Sequence, residues 1–304
     1  MSRLRERILR MMRCDYWVTA YRKRDRSAHG GDSLIHDCCT DGFRLLPQRR
    51  FITQADPFLF EYNGDTWLFY ERQDLTDMKG TLWCRNLDDA SAGPVPVLEE
   101  PFHLSYPQVF RYGKEIYLLP ETRKAGEVRL YRCLHYPDRW EKAETLFDFP
   151  AVDTTIFPTS DHVSYFFTYV EGRLEIFLCE MEKEQFRIIK RKKVYASGKS
   201  ATVRPGGAVM EENGVLYRSA QNCTDYYGQE LLINQVERLD GSGFAEHVYT
   251  RLSPQQIHID GVHAVGIHTY NCSERYEVID ILHRECSLWT IGKKLWWKIR
   301  GSEG

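Results

Sequence analysis

The chain has 304 residues, enough for one large domain or two small ones, with 42% hydrophobic and 28% charged residues. Its formal net charge of -2 at pH 7 provides no basic field for binding nucleic acid. No apolar run approaches the roughly 20 residues that span a bilayer, and the N-terminus lacks the apolar core of a secretory signal. These features predict a cytoplasmic protein that has no nucleic-acid partner.

Nine cysteines are scattered along the chain, and no two of them form a CxxC pair. The pattern indicates neither a zinc ribbon nor a thioredoxin-like site, and it favours free thiols in a reducing compartment. In such a compartment the two sequons, at Asn222 and Asn271, carry no meaning. No GxGxxG, P-loop, HExxH or GxSxG motif occurs either.

The first predicted element is a short basic amphipathic helix over residues 1–14. Its sequence, MSRLRERILRMMRC, places five arginines around Leu, Ile and Met side chains. Two interpretations stay open. The segment either packs on the body of the protein with a solvated basic face, or it lies on an anionic membrane surface.

The next predicted elements form a repeat that starts with ADPFLFEYNGDTWLFYER at residues 55–72 and SYPQVFRYGKEIYLLPET at residues 105–122. Each stretch has a polar or aromatic residue before Pro, an apolar run, a turn, a second apolar run and a Glu. Further units follow at intervals of about 50 residues. The unit starts are Asp56, Tyr106, Asp153, Arg204 and, more loosely, Asp260.

Every unit has a hairpin signal, and the turns YNGD, YGKE, TSDH and EENG separate the paired runs. A further strand-like run follows each of the first four hairpins. Units of roughly four strands at this spacing are typical of β-propeller blades, whereas unrelated hairpins in a β-sandwich would not keep a constant period. We predict an all-β fold, a five-bladed β-propeller over residues 15–288. The N-terminal segment would supply a closing strand or a cap.

The last predicted element is a basic, Trp-rich tail over residues 289–304. It carries Trp289, Trp296 and Trp297 beside three lysines and one arginine. Indoles suit the boundary between polar and apolar layers, and the basic residues suit anionic headgroups. As for the N-terminal helix, two interpretations stay open for the tail, and one of them is peripheral binding at the inner face of a membrane. Packing of both ends on the propeller is the alternative.

The unit starts are the first candidates for a functional site, because the innermost strands of a propeller line its central channel. Carboxylates at Asp56 and Asp153 would suit acid/base work on a glycosidic bond. Arg204 would bind a phosphate or carboxylate, and histidine would act as donor, base or metal ligand. The remaining candidates at these positions are Tyr106, Asp260, His263 and His268.

Glu71 and Glu121 stand at the ends of the second strands of units one and two. Their carboxylates would lie either at the channel mouth where the unit starts converge or at the opposite mouth of the channel. Glu121, which follows Pro120, is the better candidate. The polar loop after the fourth hairpin offers Gln221, Asn222 and Tyr227 for binding sugar hydroxyls. Strand alternation would place three metal-type ligands on one face, but no cofactor or metal is predicted. These three are His258, Asp260 and His268.

At this point the residues resemble a known family. The stretches ADPFLFEYNGDTWLFYE, SYPQVFRYGKEIYLLPET, DTTIF, RPGGAV and GIHTYN together resemble the N-terminal propeller domain of plant glucosamine inositolphosphorylceramide transferase. They are similar also to its stand-alone bacterial relatives of surface-polysaccharide assembly. The resemblance runs from about residue 15 to residue 282.

More distantly, the chain is similar to five-bladed furanosidase-like glycoside hydrolases. That resemblance implies a general base at Asp56 and an Asp that tunes the acid at Asp153. The Glu acid of those enzymes has no counterpart at Arg204, which argues against ordinary hydrolysis and favours a phosphate-bearing donor.

The leading hypothesis is a glycosyltransferase-like enzyme of surface polysaccharide or glycolipid biosynthesis. Asp56, Asp153 and Glu121 are its catalytic candidates. It would use a nucleotide sugar or sugar phosphate as donor and a glycan or lipid-linked acceptor. One alternative is a furanosidase-like glycoside hydrolase with Glu121 as a displaced acid. Another is a non-catalytic propeller that binds glycans.

Overall fold

The computed structural model describes residues 11–24, 34–37, 39–75, 78–160, 162–287 and 290–292. Within these ranges it contains twenty β-strands, a one-turn helix at Leu34–Asp37 and two 3-10 turns, at Arg123–Ala125 and Pro254–Gln256. Residues 11–12 and 290–292 are also helical. Most of both predicted basic segments, with Arg3 to Arg10, Trp289, Trp296 and Trp297, lies outside the described residues, so their membrane contact stays a prediction.

Four of the five blades are built from consecutive strands in antiparallel order. Blade one contains β3 (Ile52–Tyr62), β4 (Asp65–Asp74), β5 (Gly80–Asn86) and β6 (Val95–Leu98). Blade two contains β7 (Ser105–Tyr112), β8 (Glu115–Glu121), β9 (Val128–His135) and β10 (Arg139–Phe147). Blade three contains β11 (Val152–Ser160), β12 (Val163–Val170), β13 (Arg173–Met181) and β14 (Ile188–Ala196). Blade four contains β15 (Arg204–Glu212), β16 (Val215–Asn222), β17 (Glu230–Asp240) and β18 (Gly243–Leu252).

The fifth blade joins the two ends of the chain. It contains β19 (Ala264–Cys272) and β20 (Tyr276–Cys286) from the C-terminal side, followed by β1 (Arg13–Lys23) and β2 (Arg44–Leu45) from the N-terminal side. β1 pairs with β20 along its whole length, from Arg13 opposite Cys286 to Lys23 opposite Tyr276. The five-bladed propeller is therefore confirmed, and an N-terminal strand closes the ring.

Each innermost strand is interrupted by a β-bulge near its start. In blade one the pairing moves from Ala55–Glu71 to Phe58–Phe69, so Asp56 and Pro57 face a single residue of β4. The same shift occurs in blades two, three and five, and in blade four three residues face one. Bulges re-aim side chains and commonly border functional sites. The first residue of each bulge thus projects from an equivalent place in its blade, and these residues are Asp56, Tyr106, Asp153, Gly206 and His268.

Large aromatic side chains fill the spaces between blades. Phe147, Phe166 and Phe177 pack together in blades two and three, and Phe186 joins them from the loop after β13. This packing accounts for the aromatic richness of the sequence, because each blade buries both of its faces. In the described part of the chain, no helix is long and apolar enough to cross a membrane.

Candidate functional site

The innermost strands all begin at one mouth of the channel, and the second strands of the blades end there. Glu71 pairs with Ala55, next to Asp56, and Glu121 pairs with Ser105, next to Tyr106. Both glutamates therefore lie at the same mouth as the bulge residues, an arrangement that the sequence left open. We call this end of the channel the bulge mouth.

A hydrogen-bonded cluster joins blade one to blade five at the bulge mouth. Asp280 of β20 accepts hydrogen bonds from the backbone N–H of Asp56 (2.8 Å) and from Nδ1 of His268 (2.7 Å). The other imidazole nitrogen, Nε2, lies 3.4 Å from Oδ1 of Asp56. Asp56 also accepts from Thr269 Oγ1 and from the backbone N–H of Tyr106. The bulges of neighbouring blades are thus locked together.

Burial sets the protonation of this cluster. It raises the pKa of Asp56 to about 6, because desolvation and the charges of Asp153 and Asp280 outweigh the attraction of His268. Burial alone would lower the pKa of His268, but Asp280 and Asp56 reverse the effect and raise it. Desolvation and the charge of His268 thus act in opposite directions on Asp56, whereas the two neighbouring carboxyl groups favour the protonated form of the His268 imidazole.

In the described part of the chain, Asp56, His268 and Asp280 are also the group whose ligand atoms lie close enough together, within 4.8 Å, to hold a metal ion. Within this group Nδ1 of His268 and Oδ1 of Asp280 are hydrogen-bonded to each other. The set of His258, Asp260 and His268 is not assembled. β19 begins only at Ala264, and an exposed turn around Gly261 carries His258 and Asp260, so strand alternation does not apply to them. His263 is exposed on the same segment.

A second cluster joins blade three to blade four. Nε of Arg204 and Nε2 of Gln221 both donate to Oδ2 of Asp153, at 2.5 and 2.8 Å. Asp153 is almost fully buried, whereas the Arg204 side chain is 22% exposed. Within the described residues the hydrogen bonds of Arg204 involve only its Nε. The guanidinium therefore keeps its outer edge toward the mouth while it neutralises Asp153.

Glu121 lies beside this ion pair and has the opposite protonation state. Desolvation, together with the nearby charge of Asp153, raises its pKa to about 8, although Arg204 acts against the shift. The side chains of Glu121 and Asp153 interact directly, and this interaction favours the proton on Glu121. A neutral acid and an ionised carboxylate thus stand next to each other at neutral pH.

Tyr106 closes the channel below the bulge mouth. It is fully buried, and its ring packs against Phe58 with centroids 4.7 Å apart. Its hydroxyl group reaches Gly207 in blade four and Thr155 Oγ1 in blade three. With these bonds made, Tyr106 forms the floor of the site and its hydroxyl has no group left to offer a ligand.

Aromatic residues form one wall of the site. The ring of Trp17 stacks on His268 with centroids 3.8 Å apart, and Tyr227 packs edge-on against both. Tyr227 also lies beneath the guanidinium of Arg204, 4.9 Å from the ring centroid, and is 44% exposed. This stack brings together the N-terminal strand, the loop after β16, and blade five.

Two predicted binding amides have structural partners. Asn222 donates to Glu230 and accepts from the N–H of Thr224, which holds the loop that carries Tyr227. Gln221 bridges Asp153 and the carbonyl group of Pro205. Both residues lie at the mouth, where they position neighbouring groups. The second sequon residue, Asn271, is buried and donates to the carbonyl group of Pro57.

The repeat position differs from the sequence alignment in two blades. Arg204 lies two residues before the bulge of blade four, where Gly206 occupies the place of Asp56. In blade five the bulge position belongs to His268 rather than to Asp260. Sequence reasoning missed Trp17 and Asp280 altogether. The charged Asp280 inside the apolar run YEVIDIL was the available signal, whereas nothing local marks Trp17.

The comparisons with known proteins agree with this architecture. The family model described as glucosamine inositolphosphorylceramide transferase 1, N-terminal, matches residues 40–275. The glucosamine inositolphosphorylceramide transferase 1 of Arabidopsis thaliana is 31% identical over 203 residues, which are 63% of this chain and 26% of that protein. The protein of the same name from Oryza sativa subsp. japonica is 32% identical over 203 residues, 63% of this chain and 27% of the relative. The chain spans about a quarter of the length of these relatives.

Among solved structures, an α-L-arabinofuranosidase from Podospora anserina, crystallised with cellotriose, superposes with a TM-score of 0.55. The alignment covers 78% of this chain and 93% of that enzyme at 12% sequence identity. At this identity the likeness shows a shared fold. It confirms the similarity to furanosidase-like propellers that the sequence indicated.

Proposed function

The chain belongs to the glucosamine inositolphosphorylceramide transferase 1, N-terminal, family, and from this premise we propose that its bulge mouth transfers a glycosyl unit. The donor is a phosphate-bearing sugar, either a nucleotide sugar or a sugar phosphate. The acceptor is a hydroxyl group of a glycan or a lipid-linked saccharide, in surface polysaccharide or glycolipid synthesis. The proposed location is the cytoplasm, at the inner face of a membrane.

The observation that carries the proposal is the pair formed by Glu121 and Asp153. One carboxyl group holds its proton with a pKa of about 8, while the other is ion-paired with Arg204 at 2.5 Å. Neighbouring titratable groups whose environments separate their protonation states are typical of acid/base catalysis on glycosidic bonds. Such a pair at the mouth of a channel has the chemistry that glycosyl transfer requires.

The proton steps of the proposed reaction balance. The bond between the donor's anomeric carbon and its leaving oxygen breaks, and Glu121 gives its proton to that oxygen. The acceptor hydroxyl attacks the same carbon, and Asp56 takes the proton that the hydroxyl loses. Asp56 suits this role because its pKa of about 6 leaves it ionised but basic at neutral pH.

Arg204 is the proposed phosphate ligand. Asp153 holds its Nε, so the guanidinium is oriented before any donor arrives and loses little conformational freedom on binding. The ring of Tyr227 supports the other side of the guanidinium. A phosphate at the outer edge of Arg204 would place the attached sugar over Glu121.

A second candidate is hydrolysis of a glycoside, with water in place of the acceptor. It is favoured by the same neutral Glu121, which would protonate a glycosidic oxygen without any phosphate. The two candidates differ in the role of Arg204, which hydrolysis does not need.

A thermal-shift screen followed by a transfer assay tests the proposal. Phosphate-bearing donors should raise the melting temperature of the parent more than free sugars do, and Arg204→Ala should abolish that difference. Glu121→Gln and Asp56→Asn should each reduce transfer by roughly a hundredfold or more. Glu115→Gln is the matched control, because Glu115 occupies the opposite end of the same strand β8.

The outcomes separate three functions. Transfer that survives Asp56→Asn and Arg204→Ala unchanged overturns the proposal. Release of free sugar from an aryl glycoside, lost in Glu121→Gln and kept in Arg204→Ala, assigns hydrolysis instead. Donor or glycan binding without turnover across the panel assigns a binding domain.

A further inference from the structure

Glu71 is a further carboxyl group at the bulge mouth, and the proposed transfer does not use it. Its side chain is 9% exposed, and it occupies in blade one the place that Glu121 has in blade two. Burial raises its pKa well above the usual value, and the charges of Asp56 and Glu121 raise it further. Glu71 thus has a raised pKa and interacts electrostatically with both the proposed base and the proposed acid.

His103 connects Glu71 to the outside of the molecule. It precedes β7 on the loop between blades one and two, and its side chain is 28% exposed. Nδ1 accepts a hydrogen bond from the backbone N–H of Gly80 at 2.9 Å, so the neutral ring carries its proton on Nε2. Nε2 lies 3.5 Å from Oε1 of Glu71.

Gly80 allows this approach. A β-carbon at residue 80 would lie 2.3 Å from the carbonyl oxygen of Leu104, 2.7 Å from Oε1 of Glu71 and 2.8 Å from Cε1 of His103. The backbone N–H of Leu104 also donates to the carbonyl group of Gly80. Only glycine lets the start of β5 fit between the carboxyl group of Glu71 and the imidazole of His103. A larger residue at position 80 would therefore disturb the contact between them.

We propose that Glu71 and His103 form a proton path between solvent and the bulge mouth, which restores the acid and the base after each transfer. The inference rests on the proposed function. One transfer leaves Glu121 without its proton and Asp56 with one proton too many. Glu71 gives its proton to Glu121 and is protonated again from solvent through His103, and the extra proton of Asp56 leaves to solvent by the same two groups, so each transfer takes up one proton and releases one. No oxidant or other reactant is required.

The surroundings of both groups suit this exchange. Glu71 faces Asp56, Glu121, Asp280 and Asp153. Burial and the nearby Lys124 lower the pKa of His103, although a hydrogen bond to the backbone of Met78 opposes them. His103 is therefore neutral at pH 7, and it can bind a proton transiently and release it again.

Nitrogen NMR of the histidine rings tests the contact without any donor. In the parent, the signal of His103 should show two steps: its own protonation at acid pH, and an alkaline step when Glu71 loses its proton. Glu71→Gln should remove only the alkaline step. His135→Gln is the matched control, since His135 pairs with Asp138 on the exposed end of blade two, and it should leave both steps in place. A single step in the parent overturns the inference.

Turnover then tests the role of the path. His103→Gln should slow transfer by about tenfold at neutral pH, with donor binding in the thermal-shift assay unchanged. Added imidazole should restore most of the rate, which a purely structural defect would not allow. Full turnover in His103→Gln, or a loss that imidazole does not rescue, overturns the proton path alone. If the parent transfers no sugar at all, the proposed function fails instead. The NMR steps then still decide whether Glu71 and His103 are in contact, and the thermal-shift assay decides whether the mouth binds a donor.

Discussion

The hydroxyl group of Tyr106 in blade two lies 2.8 Å from the backbone nitrogen of Gly207 in blade four, on the far side of the channel. The same hydroxyl donates to the carbonyl group of Gly207, at 3.0 Å. One side chain thus ties two non-adjacent blades together beneath the carboxyl groups. The floor of the candidate site is therefore a structural cross-link rather than a ligand contact.

Tyr106→Phe should destabilise the protein by roughly 1–3 kcal/mol, because the buried N–H of Gly207 would lose its acceptor. Urea unfolding followed by circular dichroism would measure the change. Tyr165→Phe is the control. Tyr165 is also buried, but its hydroxyl makes no hydrogen bond to the described residues. Equal stability of Tyr106→Phe and the parent would contradict the cross-link.

Gly207→Ala should destabilise the protein more than Tyr106→Phe does. We expect its free energy of unfolding to fall by about 3 kcal/mol or more. The backbone of Gly207 has φ of +143°, and a β-carbon there would lie 2.1 Å from the carbonyl oxygen of Tyr270. Gly113→Ala serves as the comparison, since Gly113 has φ of +58° with no atom within 4 Å, and it should cost about 1 kcal/mol. Thermal unfolding of the two variants side by side measures the difference, and similar losses would refute the close approach.

Glu121→Gln should alter how stability depends on pH. The pKa of Glu121 is about 8 in the folded protein and 4.5 for an ordinary glutamate, so the native state binds more protons between these values. Stability of the parent must then fall as pH rises through this window, and the whole loss is present above pH 8. Glutamine has no proton to lose. As the pH rises from about 5 to about 9, the free energy of unfolding of the variant should therefore increase by roughly 2–4 kcal/mol relative to that of the parent.

Urea unfolding at several pH values checks this expectation. Glu115→Gln, at the other end of β8, should follow the parent at every pH. Parallel stability curves for Glu121→Gln and the parent would mean that Glu121 is ionised in the folded state, and the acid would have to be sought elsewhere.

A chain shortened to residues 40–275, the part that the family model matches, should not form a closed propeller. It lacks all of β1 and all of β20, which together make two of the four strands of blade five. We expect exposed strand edges, aggregation and loss of cooperative unfolding. The full chain is the reference in calorimetry and light scattering. A sharp unfolding transition in the shortened chain would show that ring closure is dispensable.

Much of the fold could be predicted because propeller hairpins are local. The turns and apolar runs around Asn63 and Gly113 lie within a few residues of each other, and repetition at a constant period adds independent support. The same logic predicts Asp56, Tyr106 and Asp153 at equivalent places, and the structure has all three at the bulge position.

The remaining features depend on pairing across long distances. In blade four the bulge contains one more residue than in the others, and it begins at Gly206, two positions after the Arg204 of the alignment. In blade five the long segment before β19 shifts the repeat from Asp260 to His268. Trp17 reaches the site only because β1 pairs with β20, more than 250 residues away in sequence. No local pattern contains that information.

The antiparallel pairing of β1 with β20 determines how the protein responds to mechanical force. Arg13 and Cys286 stand opposite each other at one end of the antiparallel pair. A pulling force between these points would load the hydrogen bonds of the antiparallel pair one after another, as in opening a zipper, instead of shearing them all at once. Tension along the polypeptide would therefore peel β1 away first. Trp17 would leave His268 early in that process, so the aromatic wall of the site would be dismantled while the first four blades were still intact.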